Sequence, residues 1–219
     1  MLTLPEELWL LALNEKNGKL KQINLVQGLT SAILVELALE KRIDSKGNRK
    51  VEVIDKEPLN NAVLDFALGK INAAPDAREV RRWMLDLGSL QQKMVYDYVA
   101  EALVEHGHIE RVEESKLGGL IKKNKWILKD KEIRNGILER IRGVAFENKA
   151  PTLRTFCLML LSGENDIIRI STTRDERAKY QTRVKQLLEM LEEPRSAHAR
   201  NIIVLVLKAI ENNRESWSG

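Results

Sequence analysis

The sequence predicts a mainly α fold: a single compact helical domain over residues 1–219, carrying one or two short β-hairpins. Three observations lead there. Apolar residues recur at helical spacing through most of the chain, from Leu4, Leu8 and Leu11 near the start to RVKQLLEML near the end. β-like pieces are confined to two short stretches, RIDSKGNRKVEVID and HIERVEESKLGGLIKKNKWILKD, each with a turn signal inside it. A composition of 43% hydrophobic and 31% charged residues, with five prolines, lets one core form without a disulfide or a metal.

In order along the chain, Thr3 and Glu6 make a capping box that starts the first helix, and Gly18 in NEKNGK marks the turn after it. GLTSAILVELALEKR is apolar nearly all round, so this second helix belongs at the centre, with Ile33, Leu34 and Leu37 inaccessible. The first hairpin signal follows. Leu59 to Ile71 reads as an amphipathic helix, and Asp76 is placed to cap the next one, REVRRWMLDL. A longer helix covers Leu90 to Glu105 and stops at Gly107, after which comes the second hairpin. The remaining segments, EIRNGILERIRGVAF, TLRTFCLMLLSG, RDERAKYQTRVKQLLEML and AHARNIIVLVLKAIENN, are all helical by spacing. Trp9 and Trp83 fall at apolar positions of their helices and are expected in the core.

Several classes of function are excluded or disfavoured. The one cysteine, Cys157, sits in the apolar run TFCLMLL, which suits a buried thiol in a reducing compartment. The N-terminus carries Glu6 and Glu7 without a basic stretch, and apolar runs such as IIVLVL fall far short of the roughly 20 residues of a membrane span. A cytoplasmic protein is expected, with any membrane contact peripheral. His106 and His108 flank Gly107 as turn residues, with no Cys or Glu at zinc-ligand spacing, so neither metal nor cofactor is expected. No nucleotide-binding glycine loop, nucleophile elbow or spaced acid pair is present, and the chain reads as no enzyme.

Charge is more informative in its distribution than in its sum. The net charge is +4, yet the window from Ser115 to Arg134 alone holds seven Lys or Arg against two acids. A helix followed by a hairpin also occurs in winged-helix DNA-binding domains. Against that reading, VYDYVAEALVEHG carries Asp97, Glu101 and Glu105 where a recognition helix needs cations, so no nucleic-acid partner is expected. A purely protein-binding adaptor is the other alternative.

LTLPEELWLLALNEKNGK, GLTSAILVELALEKRI, the Trp-bearing REVRRWMLDL, ALVEHGHI with its hairpin, and RVKQLLEML stand in an order that resembles the Golgi phosphoprotein 3 family, over about Leu2 to Ile210. That resemblance implies a single, mostly helical domain. In eukaryotic members it binds phosphatidylinositol 4-phosphate on the cytosolic face of the Golgi and helps retain glycosyltransferases there. Such a protein is a peripheral trafficking or retention adaptor, with an anionic phospholipid membrane surface and a protein client as partners. A projecting hairpin contributes to self-association, so a homo-oligomer is implied. The family's basic N-terminal tail has no counterpart in these 219 residues, and no coatomer-binding role is assigned to them.

Position by position, the resemblance implies a headgroup site at Lys21 and Ile23, Thr30, Lys93 and Tyr96. The tryptophan of the family's pocket is replaced by Ile23 or Lys21, and arginines by Thr30 and Tyr96, while Lys93 keeps its charge. Fewer charge-assisted donors imply weak, poorly selective binding of a phosphomonoester, with Lys19 and Lys21 compensating in part.

The hairpin KLGGLIKKNKWILK alternates apolar residues with lysines. Gly118 and Gly119 permit a bend, and KKN is expected at the tip. Leu120, Ile121, Lys122, Lys123, Lys125, Trp126 and Ile127 are the expected contacts for a bilayer or a second subunit. Apolar tips that insert beside lysines suit an anionic membrane, where each lysine near the surface adds about 1 kcal/mol.

Overall fold

A computed structural model describes residues 1–20, 25–45, 49–89, 92–116, 121–164, 167–170, 172–191 and 202–206. It is mainly helical. α1 spans Leu4–Ala12, α2 Leu25–Leu39, α3 Ala62–Asn72, α4 Val80–Ser89, α5 Gln92–Glu105, α6 Lys131–Phe146, α7 Leu153–Glu164 and α8 Arg174–Leu191, with a 3-10 turn at Ile167–Ile170. Residues 202–206 are helical too; the rest of the expected last helix lies outside the described residues.

α2 is the centre, packed by α1, α3, α4, α5 and α7. Ile33, Leu34 and Leu37 are buried, as expected of a helix apolar on every side. Its one acid has a role that no local pattern signals. Glu36 is buried and accepts Arg154 through both carboxylate oxygens, and its Oε2 also accepts the Leu4 N–H at 2.8 Å. That bond satisfies an amide at the start of α1 that has no partner within its own helix. Glu6 reaches back to the Thr3 N–H at 2.7 Å, the half of the capping box contributed by the glutamate. Trp9 and Trp83 are both core residues.

The strands are short at the N-terminal end and long in the second hairpin. β1 (Leu13–Asn14) and β2 (Lys19–Leu20) pair antiparallel; β3 (Ile43–Asp44), β4 (Lys50–Val53) and β5 (Arg78–Glu79) form a three-stranded sheet in that order. β5 corrects one expectation. Arg78 and Glu79 pair with Val51 and Lys50, so α4 starts at Val80 and Asp76 is not its cap. α3 starts three residues later than its periodicity suggested, because the Asn61 side chain accepts from the Leu64 N–H at 3.2 Å and fixes the helix start there.

β6 (Ile109–Lys116) and β7 (Ile121–Leu128) form a hairpin of two eight-residue strands, in register from Ile109↔Leu128 to Lys116↔Ile121. This corrects the expected tip. Lys122, Lys123 and Asn124 stand inside β7, opposite Ser115, Glu114 and Glu113. Ion pairs across the strands, Lys125 with Glu114 and Lys129 with Glu110, accompany this register rather than one that turns at KKN.

Candidate functional site

The turn after α1 is built from its own sequence. Asn14 and Asn17 each accept, through Oδ1, the N–H two residues on, at 3.0 Å, and the Gly18 N–H reaches the Asn14 carbonyl at 2.9 Å. Such Asx turns are what asparagine side chains offer a chain reversal. Gly18 has a φ of +65°, a region that L side chains resist. Lys16 and Lys19 are left exposed on either side of it.

Two other elements clamp this turn. On one side, the buried Arg134 of α6 donates from Nε to the Leu10 carbonyl at 3.0 Å and from Nη2 to that of Leu13 at 3.4 Å, and pairs with Glu15. It thereby caps the C-terminal end of α1. Burial pulls the arginine's pKa down and Glu15 partly restores it. On the other side stands the hairpin. The Trp126 N–H donates to the Gly18 carbonyl at 2.9 Å. A Cβ on Gly18 would lie 2.4 Å from Lys125 Cγ and 2.7 Å from the Trp126 carbonyl oxygen, so a glycine is required for contact as well as conformation.

Alternation along β7 divides the hairpin residues. Trp126 and Leu128 are buried, whereas Ile127 is 42% exposed and Lys125 half-buried. Trp126 meets Trp9 edge-to-face at 5.4 Å between ring centroids, and the Arg111 guanidinium lies 5.2 Å from its ring on the other strand. Trp126 thus seats the hairpin on the core, and in the monomer it does not face a bilayer or a second subunit. Arg111 also reaches Glu101 at 3.4 Å, so β6 leaves its base running back along α5. Charge is partly neutralised between strands, with Lys125 3.4 Å from Glu114 and Lys129 3.0 Å from Glu110. From Ile109 to Lys129 six cations face three acids, an excess of +3, with Lys116, Lys122 and Lys123 toward the tip.

The residues expected at the headgroup are not equally placed. Thr30 is fully buried, and its hydroxyl donates to the Gln27 carbonyl at 3.0 Å. α4 closes over it: the position of a Cβ on Gly88 is 3.5 Å from Val26 Cγ1 and 3.8 Å from Thr30 Cγ2. Thr30 therefore packs the start of α2 against α4, and its hydroxyl is not presented to a ligand. Tyr96 is half-buried on α5 and Lys93 lies in the first turn of the same helix. Ile121, Lys122 and Lys123 are within β7. Lys21, Ile23 and Leu120 lie outside the described residues. The structure thus brings the turn, the hairpin base and the start of α2 to neighbouring positions around α1. It adds Lys16 and Arg134, which the sequence did not single out, and it makes Gly18, expected as a turn residue, the point where the hairpin packs.

His108 is less exposed than a plain turn residue, with Nδ1 3.3 Å from Asp130, and His106 is open to solvent. Among the described residues no group of His, Cys, Asp and Glu is arranged to hold a metal. No described helix is long and apolar enough to cross a membrane. The exposed side of α5 retains Glu101 and Glu105 beside the half-buried Asp97, an acidic surface where a winged helix would meet phosphates.

A family model described as Golgi phosphoprotein 3 (GPP34) matches residues 4–205 of the chain. A VPS74-like protein of Dictyostelium discoideum is 28% identical over 124 residues, covering 50% of this chain and 47% of the relative. The chain thus spans about half the length of the curated relative it matches.

Proposed function

Because the chain belongs to the Golgi phosphoprotein 3 family, we propose that it is a non-enzymatic peripheral adaptor that docks on an anionic phospholipid surface and serves trafficking or retention of a protein client. The observation that carries this reading is the junction at Gly18. There the lysine-bearing turn and the lysine-bearing strand meet, with Lys16 and Lys19 exposed beside Lys125. Exposed cations near a bilayer each add about 1 kcal/mol of attraction to anionic lipid. The exposed Ile127 on the outer face of the hairpin, and the excess of lysine toward its tip, support contact with a bilayer or with a second copy of the chain.

Headgroup selectivity is proposed to be weak. A phosphomonoester is held best by several charge-assisted donors, and Thr30 offers none, being buried and bonded within α2. Lys93 and the lysines of the turn are the remaining cations. Sedimentation with phosphatidylcholine vesicles, with and without phosphatidylserine, beside a mobility shift on duplex DNA tests the reading. Binding to the anionic vesicles that weakens with salt is expected. Binding to DNA alone, or to neither, would contradict it.

A further inference from the structure

A second group of cations is assembled by strand pairing. Val51 pairs with Arg78 and Lys50 with Glu79, and the Val80 N–H lies 3.4 Å from the Arg49 carbonyl. Arg49 and Lys50 therefore stand beside β5 and the first turn of α4, which carries Arg81 and Arg82. Arg49, Lys50, Arg81 and Arg82 are all exposed. Acidic compensation is incomplete. Asp86 binds both Arg78, at 2.6 Å, and Arg82, at 3.0 Å, Glu79 stands opposite Lys50, and Glu52 lies two residues along β4. Over residues 49–53 and 78–89 five cations thus stand with three acids, an excess of +2.

The base of this surface is firm, because Trp83 is buried beneath it with the Arg78 guanidinium 5.3 Å from its ring. Leu85 follows Arg81 by one helical turn and is 48% exposed, so an apolar side chain stands on the same outer side as the cations. At its far end α4 packs, through Gly88, on Val26 and Thr30 at the start of α2. One helix, about 15 Å long, therefore runs from the basic surface to the region already described.

We propose that Arg49, Lys50, Arg81 and Arg82, together with Leu85, form a second contact for an anionic bilayer; this rests on the membrane reading above. Cations beside an exposed apolar side chain suit lipid, with the charges at the headgroups and the leucine among them. Stacking on nucleic-acid bases would need an exposed aromatic, and the tryptophan here is buried.

The test replaces Arg49 and Arg81, neither of which forms an ion pair among the described residues, and leaves the Asp86 bridges intact. The full chain carrying Arg49→Gln and Arg81→Gln is compared with wild type, with the charge-conserving Arg49→Lys and Arg81→Lys pair, and with Leu85→Ser. Each is sedimented with phosphatidylcholine vesicles containing phosphatidylserine, and binding is referred to the folded fraction from circular dichroism. The glutamine pair should bind about 10- to 30-fold more weakly, the lysine pair like wild type, and Leu85→Ser a few-fold more weakly. Glutamine variants within about twofold of wild type would overturn the inference while leaving the membrane reading standing. A wild-type chain that ignores the vesicles would sink that reading and the inference with it. Loss of duplex DNA or polyglutamate binding with vesicle binding retained would assign the surface to another partner and overturn the proposal.

Discussion

Gly18 and Gly107 both adopt positive φ, +65° and +75°, but only Gly18 is enclosed. Replacing Gly107 by alanine should cost about 1 kcal/mol, the backbone penalty alone. Gly18→Ala adds a collision with a backbone carbonyl and should cost about 2–4 kcal/mol by urea denaturation. Equal losses would mean that the turn and the hairpin are not fastened as described. Cys157 allows a test by pH. Burial pushes its pKa from 9.0 up to about 12, so the folded chain keeps a proton that the unfolded chain releases. The stability this proton supports is complete below about pH 9 and falls by about 1.4 kcal/mol per pH unit above it. The difference in unfolding free energy between wild type and Cys157→Ala should shrink accordingly from about pH 9 to about pH 10. A constant difference would place the thiol in contact with water.

At the scale of elements, the hairpin separates two roles that one apolar run combined. Trp126→Ala removes a buried indole from Trp9 and Arg111 and should cost about 3–5 kcal/mol. Ile127→Ser, on the outer face, should change stability by no more than about 0.5 kcal/mol while weakening vesicle binding or self-association. Thermal melting with sedimentation separates them; a large loss of stability at Ile127 would make the hairpin a cover for the core on both faces. Most helices were legible because periodicity reports burial directly, and α2 because it is apolar nearly all round. The two-way split of the hairpin was legible as an alternation, but its phase was not, because the phase depends on Trp9 and Gly18, which are more than 100 residues away. β5 was hidden for a similar reason. Two residues, Arg78 and Glu79, pair with a distant strand, and nothing local distinguishes them from the start of a helix. Thr30 was placed by resemblance alone, and its burial comes from α4 closing over α2, a contact without a sequence signal.

For the whole molecule, a net charge of +4 says little, whereas its placement says more. Cations collect at the turn and hairpin and again at β4, β5 and α4, while acids occupy the exposed side of α5 and pair across the hairpin. Such a distribution favours a flat anionic partner over a groove-bound polyanion, which would need cations on the helix before the hairpin. It also fits the weak headgroup selectivity proposed above: exposed cations respond to surface potential, and among the described residues no buried set of donors is organised around a single phosphate. The most direct measurement is a titration of the full chain with vesicles bearing phosphatidylinositol 4-phosphate against vesicles of equal charge bearing phosphatidylserine, each at low and high salt. Salt-sensitive binding to both, differing by less than about tenfold, is the predicted result. Submicromolar, headgroup-selective binding that persists at high salt would contradict it, as would indifference to both lipids.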